Sequence, residues 1–226
     1  MLNAADLTAL WLTLQLATFT TAILLLLGTA LAWWLAHSRW RFRYLLETLI
    51  ALPLVLPPTV LGFYLLQLLG PRGWLGSLIH AFGGEPLAFT FEGLLFGSVI
   101  YSLPFVVQPL QDTFQSMGKR PLEIAATLRA GPLDRFFNVV IPMARAGYIT
   151  AAMLGFAHTL GEFGVVLMLG GNIPGETRVL SIAIYDHVER LEYAQAHVLA
   201  GGMLLLSFCL LLTVYSLRSR LRVVRL

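Results

Sequence analysis

The sequence predicts an all-α, polytopic membrane protein with about five transmembrane helices. Three observations predict it: long uncharged runs, a scarcity of charge overall, and a lopsided placement of the cations. Only 12% of the 226 residues are charged against 58% hydrophobic, and the mean hydropathy is +0.78. A soluble globular domain carries about twice that share of charge.

About 20 apolar residues span a bilayer as a helix. Segment one, Leu7 to Ala36, has no charged residue and exceeds that length, so it is read as a spanning helix, with room for an interfacial turn before it. It lacks a basic start and a small-residue cleavage site, so the expectation is that it is retained rather than removed as a secretory signal. Segment two, Thr48 to Pro71, and segment three, Gly93 to Gln111, are equally free of charge. Segment four, Ala146 to Gly161, is shorter and continues past one acid, Glu162, to Gly171. Segment five is Val198 to Leu217 and contains the single cysteine, Cys209, which excludes an intrachain disulfide. The remainder is too small to fold as a second domain.

Of the 15 Lys and Arg residues, only Arg72, Arg178 and Arg190 fall on one face. Arg39, Arg41 and Arg43, then Lys119, Arg120, Arg129, Arg135 and Arg145, then Arg218, Arg220, Arg222 and Arg225 fall on the other. Positive charge marks the cytoplasmic side, which puts the N-terminus outside and the C-terminus inside. The net charge of +3 and pI near 9.3 then express topology and contact with anionic lipid, with no support for nucleic-acid binding.

On that topology EIAATLRAGP, residues 123–132, faces the cytoplasm. Pro121 suits a first helical turn and Glu123 its positive end. Two turns of helix follow, Gly131 is expected to supply a left-handed stop, and Pro132 prevents continuation. LDRFFNVVIP reads as a second short helix ended near Pro142. A two-turn helix is marginal alone and needs a surface to lean on, either the membrane or a partner approaching its Ala125–Ala126 face.

EIAATLRAG with the later IPMARAG resembles the EAA loop of bacterial ABC-importer permeases. Glu123, Ala125, Ala126, Gly131, Ile141 and Pro142 match, while Ile124 is inserted and Met143 follows the proline. The resemblance implies a coupling helix docked in a groove of a cytoplasmic ATPase, with Glu123, Ala125, Ala126, Leu128, Arg129 and Gly131 as its coupling residues. No G-x-x-x-x-G-K-[ST] occurs, so the nucleotide and its magnesium belong to another subunit, and no cofactor is expected on this chain.

Within segment two, LPLVLPPTVLGFYLL carries Pro53, Pro57 and Pro58, which break a helix; in lipid that requires neighbouring protein or a lined cavity. A packing kink and a pathway role both fit. In HTLGEFGVVLMLGGNIPGETRVL, residues 158–180, Glu162 is expected one turn after His158 on the same helical face. An acid at that depth faces a bundle interior or a cavity. Its readings are a structural acid, paired with His158 or capping a helix, and a pathway residue; a structural-to-gating role is preferred over substrate binding, since a carboxylate repels an anion.

LPLVLPP, LGEFG and GNIPGETR together resemble the permease subunits of molybdate importers, from about residue 45 onward; LGEFG alone is shared with sulfate/thiosulfate permeases. The resemblance implies a type I ABC-importer (MetI-like) permease fold occupying residues 1–226, with a cytoplasmic coupling loop at about 113–145. The implied partners are a second copy of the chain, two cytoplasmic ABC ATPase subunits, an extracytoplasmic molybdate-binding protein and membrane lipid. The implied location is the bacterial cytoplasmic membrane. Pathway or gate residues would be Pro57, Pro58, His158, Gly161 and Glu162, and Asn172, Pro174, Gly175 and Glu176 would meet the delivering protein. Tungstate, of similar geometry and charge, would share the route.

A secondary transporter would show repeat symmetry or more intramembrane ionisable groups. A membrane enzyme is disfavoured, since His37, His80, His158, His187 and His197 form no H-E-x-x-H, and no G-x-S-x-G occurs. Asp186–His187 with Glu189 and Glu192 is read as a solvated helix face rather than a metal site.

Overall fold

The computed structural model describes residues 3–223, with side chains for residues 3–216. Of the basic tail, Arg225 and the side chains of Arg218, Arg220 and Arg222 lie outside what is described. Among the described residues every regular element is helical: α1 Ala4–His37, α2 Arg43–Ala51 with a 3-10 turn Leu52–Leu54, α3 Pro58–Leu69, α4 Trp74–Ala81, α5 Phe91–Met117, α6 Arg120–Thr127, α7 Pro132–Arg135, α8 Ile141–Leu160, α9 Gly164–Gly170, α10 Leu180–Glu189 and α11 Tyr193–Val223. Four helical stretches are long and apolar enough to cross a membrane, and a fifth if the bent pair Arg43–Leu54 and Pro58–Ala81 counts as one span.

Segment one is a single helix with no separate interfacial turn, started by a capping box in which Asn3 accepts from the Asp6 amide and Asp6 accepts from the Asn3 amide. Segment two is not a straight span. Its halves diverge by 110° at the Pro57–Pro58 pair, where Pro57, like most residues before a proline, is extended rather than helical (ψ 135°).

A correction concerns Pro142. The chain stays helical from Pro132 to Leu160, straight through that residue. A π turn at Phe136–Val140 widens the backbone just before it, with the Ile141 amide reaching back to the Phe136 carbonyl. Pro142 then falls in the first turn of α8, where a missing N–H costs least.

Helices α1, α5 and α8 form the main core, filled by Leu24, Leu35, Val106, Leu110, Phe114 and Ala151. In a bilayer, small residues let backbones approach and gain dispersion contact. A Cβ on Gly147 would sit 2.2 Å from Thr113 Oγ1, and one on Gly155 would sit 2.6 Å from Val106. Helix α11 buries almost none of its apolar length within the chain.

A polar corner ties α1 to α10 and α11. Thr13 Oγ1 accepts from the Leu180 amide (2.7 Å), capping the start of α10. At the other end, a Schellman closure with Leu191 left-handed (φ 62°) returns Glu192 to His187. The His187 ring lies between Asp6 Oδ1 (3.0 Å) and Glu192 Oε2 (2.7 Å). Two carboxylate acceptors require both ring nitrogens to donate, and hydrogen bonding to Asp6 raises the His187 pKa, opposed by burial and assisted by Glu192. The reading of Asp186–His187 as a solvated face is thereby corrected: both are buried.

Because the folded pKa is raised, this corner contributes fully below the unfolded histidine value of about 6.5 and loses its contribution as pH rises through the folded value. Thermal unfolding of the purified protein between about pH 5 and pH 9 is expected to show that loss in the wild type and a flatter profile in His187→Gln. At the acidic end His187→Gln is expected to cost about 3 kcal/mol, because the buried Asp6 loses its charged partner and keeps the Asn3 amide.

Candidate functional site

The two breaks in the apolar helices meet each other. Pro58, at the restart of segment two, packs against Gly164, where a Cβ would sit 2.7 Å from the proline ring. One turn on, Gly62 lies against Met168 and Val165, again at 2.7 Å for an added Cβ. Helices α3 and α9 therefore pack backbone to backbone just beyond their interruptions. Beside this contact a cleft of about 610 Å3 opens, lined by Pro58, Thr59, Tyr101, His158, Gly161 and Glu162 among others.

Four of the five expected pathway residues are brought together here: Pro58, His158, Gly161 and Glu162. Pro57 caps the start of α3 and is exposed, outside the cleft lining. The expected one-face pairing of His158 with Glu162 does not form. Helix α8 ends at Leu160, Gly161 takes a non-helical ψ of 3°, and Glu162 leaves the helical face.

Each finds a serine on α5 instead. Glu162, 4% exposed, accepts through Oε2 from Ser98 Oγ at 2.7 Å, while its Oε1 has no partner among the described residues. The Glu162 carbonyl accepts from Ser181 Oγ (2.6 Å), fastening the break to α10. His158 Nδ1 lies 2.9 Å from Ser102 Oγ, which also lies 2.9 Å from Thr159 Oγ1. The His158 ring stacks on Phe105 (3.9 Å) and leans on Tyr101 (4.6 Å). Sequence reasoning missed Ser98 and Ser102. The available signal was two hydroxyls one helical turn apart in an otherwise apolar helix, beside Gly97, where a Cβ would collide with Leu169.

A second cavity, of about 560 Å3, lies farther along the same two helices, lined by Asp112, Thr113, Ser116, Met143, Gly147 and Thr150. Beyond it stands α6. Glu123, Ala126, Leu128 and Arg129 are exposed, and Ala125 turns inward and is buried, so the two alanines do not share one presented face. The exposed side also carries Ile124, with Leu133 and Phe137 nearby. Gly131 does not supply the left-handed stop: its φ is −69°, and it caps α7. That role falls to Arg129 (φ 61°), where the Ala130 amide bonds to the Ala125 carbonyl and the Arg129 amide to the Ala126 carbonyl.

At the other end, the loop after α9 is pinned from within. Thr177 Oγ1 donates to the Gly170 carbonyl (2.6 Å), and Arg178 pairs with Asp186 and donates to Asn172 Oδ1 (2.7 Å). Asn172 also donates to Asp186 (3.1 Å), and Arg190 pairs with the same carboxylate (3.1 Å). Asn172, Pro174, Gly175 (φ 84°) and Glu176 are all exposed, and Asn172 is in addition part of the loop's scaffold. Among the described residues no group of His, Cys, Asp and Glu is arranged to hold a metal ion.

The family described as binding-protein-dependent transport system inner membrane component matches residues 9–223. The molybdenum transport system permease protein ModB of Azotobacter vinelandii is 61% identical over 217 residues, covering 96% of each chain. The protein of that name in Escherichia coli (strain K12) is 33% identical over 80% of this chain and 79% of its own. A probable sulfate transport system permease protein of Chlorella vulgaris is 33% identical over 90% of this chain and 76% of its own. In fold, the chain is similar to a bacterial alginate ABC transporter crystallised with an alginate pentasaccharide-bound periplasmic protein: TM-score 0.79, 15% identity, 97% of this chain and 80% of that one.

Ser98→Ala is expected to destabilise the purified protein by about 2 kcal/mol in thermal or denaturant unfolding, because the buried Glu162 carboxyl loses its one side-chain partner. An unchanged midpoint would mean that this hydrogen bond does not hold the break.

Proposed function

The chain belongs to the binding-protein-dependent transport family, the permeases of ABC importers, and from that premise we propose that it is the molybdate permease of such an importer. Two copies would form the translocation pathway. Two ATPase subunits, holding ATP and magnesium, would bind α6 of each copy from the cytoplasm, and an extracytoplasmic binding protein would deliver the oxyanion. The chain would sit in the bacterial cytoplasmic membrane with its N-terminus outside, a reading its cation distribution supports.

The observation that carries the substrate assignment is the 61% identity to the Azotobacter molybdenum permease over nearly the whole chain, against 33% to the sulfate relative. The cleft is compatible with conduction. It is lined by a proline break, hydroxyls and glycine, with no Lys or Arg among its lining residues to retain a dianion. Tungstate would travel by the same route.

In proteoliposomes holding this chain and its ATPase, with the binding protein outside, ATP-dependent uptake of labelled molybdate is expected to be blocked by tungstate and indifferent to sulfate. Strong sulfate competition would move the chain to the sulfate branch, and uptake without ATP would overturn the ABC mechanism. Ala126 is exposed, and a Cβ at Gly131 meets nothing within 4 Å. Ala126→Trp and Gly131→Val are therefore expected to insert and fold normally yet lose more than about tenfold in ATP-coupled uptake, consistent with loss of about 1.4 kcal/mol or more of docking. Normal uptake in both would remove α6 from the coupling contact.

A further inference from the structure

We propose that Ser102 is a positioning residue: it holds His158 in the tautomer whose Nε2 is bare, so that the cleft offers a passing oxyanion no side-chain N–H donor. The inference rests on the molybdate reading for its substrate, but its structural half stands on hydrogen-bond direction alone.

A carbonyl can only accept, so Thr159 Oγ1 donates its single proton to the Gly155 carbonyl at 2.9 Å. Thr159 Oγ1 can then only accept from Ser102 Oγ, 2.9 Å away, which spends the one proton of Ser102. The remaining contact, 2.9 Å between Ser102 Oγ and His158 Nδ1, is satisfied only if Nδ1 carries the hydrogen and donates. A neutral imidazole protonated at Nδ1 leaves Nε2 as a lone pair. That nitrogen has no hydrogen-bond partner among the described residues, and the half-buried ring lines the cleft.

The rest of the wall is consistent with this. Glu162 lines it with a carboxyl group whose Oε1 is buried and has no partner among the described residues, and the hydroxyl-bearing Thr59 and Tyr101 are the other polar side chains of the lining. An oxyanion therefore meets hydroxyls on the α3 and α5 side and a lone pair on the α8 side. Without the Ser102 hydroxyl the ladder ends at Thr159, and His158 is free to carry its hydrogen on Nε2. The cleft would then gain a donor suited to an anion, and charge-assisted hydrogen bonds are about twice as strong as neutral ones. A pathway that binds its cargo well releases it slowly. The hydroxyl of Ser102, which lies behind the histidine, thus keeps the route weakly binding.

The test uses the assembled permease–ATPase complex as wild type, Ser102→Ala and Ser102→Thr. Nitrogen-15 NMR of histidine-labelled complex, with the His158 signal identified by its loss in His158→Gln, is expected to show Nδ1 protonated and Nε2 bare in the wild type and in Ser102→Thr. In Ser102→Ala the hydrogen is expected on Nε2. Without binding protein, the Ser102→Ala complex is expected to retain labelled molybdate about tenfold more tightly than the wild type, with maximal ATP-driven uptake reduced by a similar factor and both restored in Ser102→Thr. A wild-type His158 protonated on Nε2 alone would overturn the proposal, and this measurement decides even where Ser102→Ala fails to assemble. Wild-type uptake and retention in Ser102→Ala, despite the altered tautomer, would overturn the functional half. A wild type that has the expected tautomer but transports no molybdate would leave Ser102 in place and remove the substrate reading on which the inference rests.

Discussion

A polypeptide backbone interrupted inside a bilayer must find partners for the polar groups it frees, because lipid supplies none. This chain interrupts its apolar helices twice, at Pro57–Pro58 and at Gly161–Phe163, and brings the two interruptions against each other. Much of the surrounding chemistry follows from that meeting. Gly62 and Gly164 have no side chain because α3 and α9 must touch through their backbones. Ser98, Ser102 and Ser181 supply hydroxyls where the second break exposes a carboxyl group, an imidazole and a carbonyl. The cleft is the space that two bent paths leave beside their point of contact.

Polar attachments divide the molecule by environment. Around the breaks the ties are hydrogen bonds of short hydroxyls, which cost less to desolvate than charges. Ion pairs appear at the ends. Arg178, Arg190 and Asp186 brace one terminal loop, Asp6, His187 and Glu192 close the adjacent corner, and Arg43 with Glu47 and Gln111 joins α2 to α5 at the opposite end. Several of these charges are themselves buried, Asp6 and Asp186 among them, and each is held by an opposite charge, the condition under which buried charge is tolerated.

The spans were legible because uncharged length is a one-dimensional signal, and α1, α5 and α11 fall where it places them. The helix at residues 120–127 was legible from Pro121 and its alanines. What escaped depends on neighbours distant in sequence. Ser98 and Ser102 became visible as partners only once α5 lay against Glu162 and His158, more than fifty positions away. His187 is held by Asp6 of α1, at the other end of the chain, and Asp186 by the loop after α9. Two misreadings were local. Glycine is the usual left-handed stop, yet Arg129 takes that conformation because two amide-to-carbonyl bonds close over it. Proline usually ends a helix, yet Pro142 is carried through by the widened turn before it.

That widened turn has a mechanical consequence. Because the backbone never leaves the helical path between Pro132 and Leu160, the stretch is one continuous helical rod of about 43 Å, at 1.5 Å per residue. Its two points of give are the widened turn and Pro142 beside it, since helices bend at such places. What passes them is carried along Ile141–Leu160 to Gly161, where the helix ends at the edge of the cleft. The extra residue of the π turn also sets the rod's phase: each residue advances a helix by about 100°, so removing one would leave the length almost unchanged while turning α7 and the presented face of α6 a quarter-turn or more away from their present bearing.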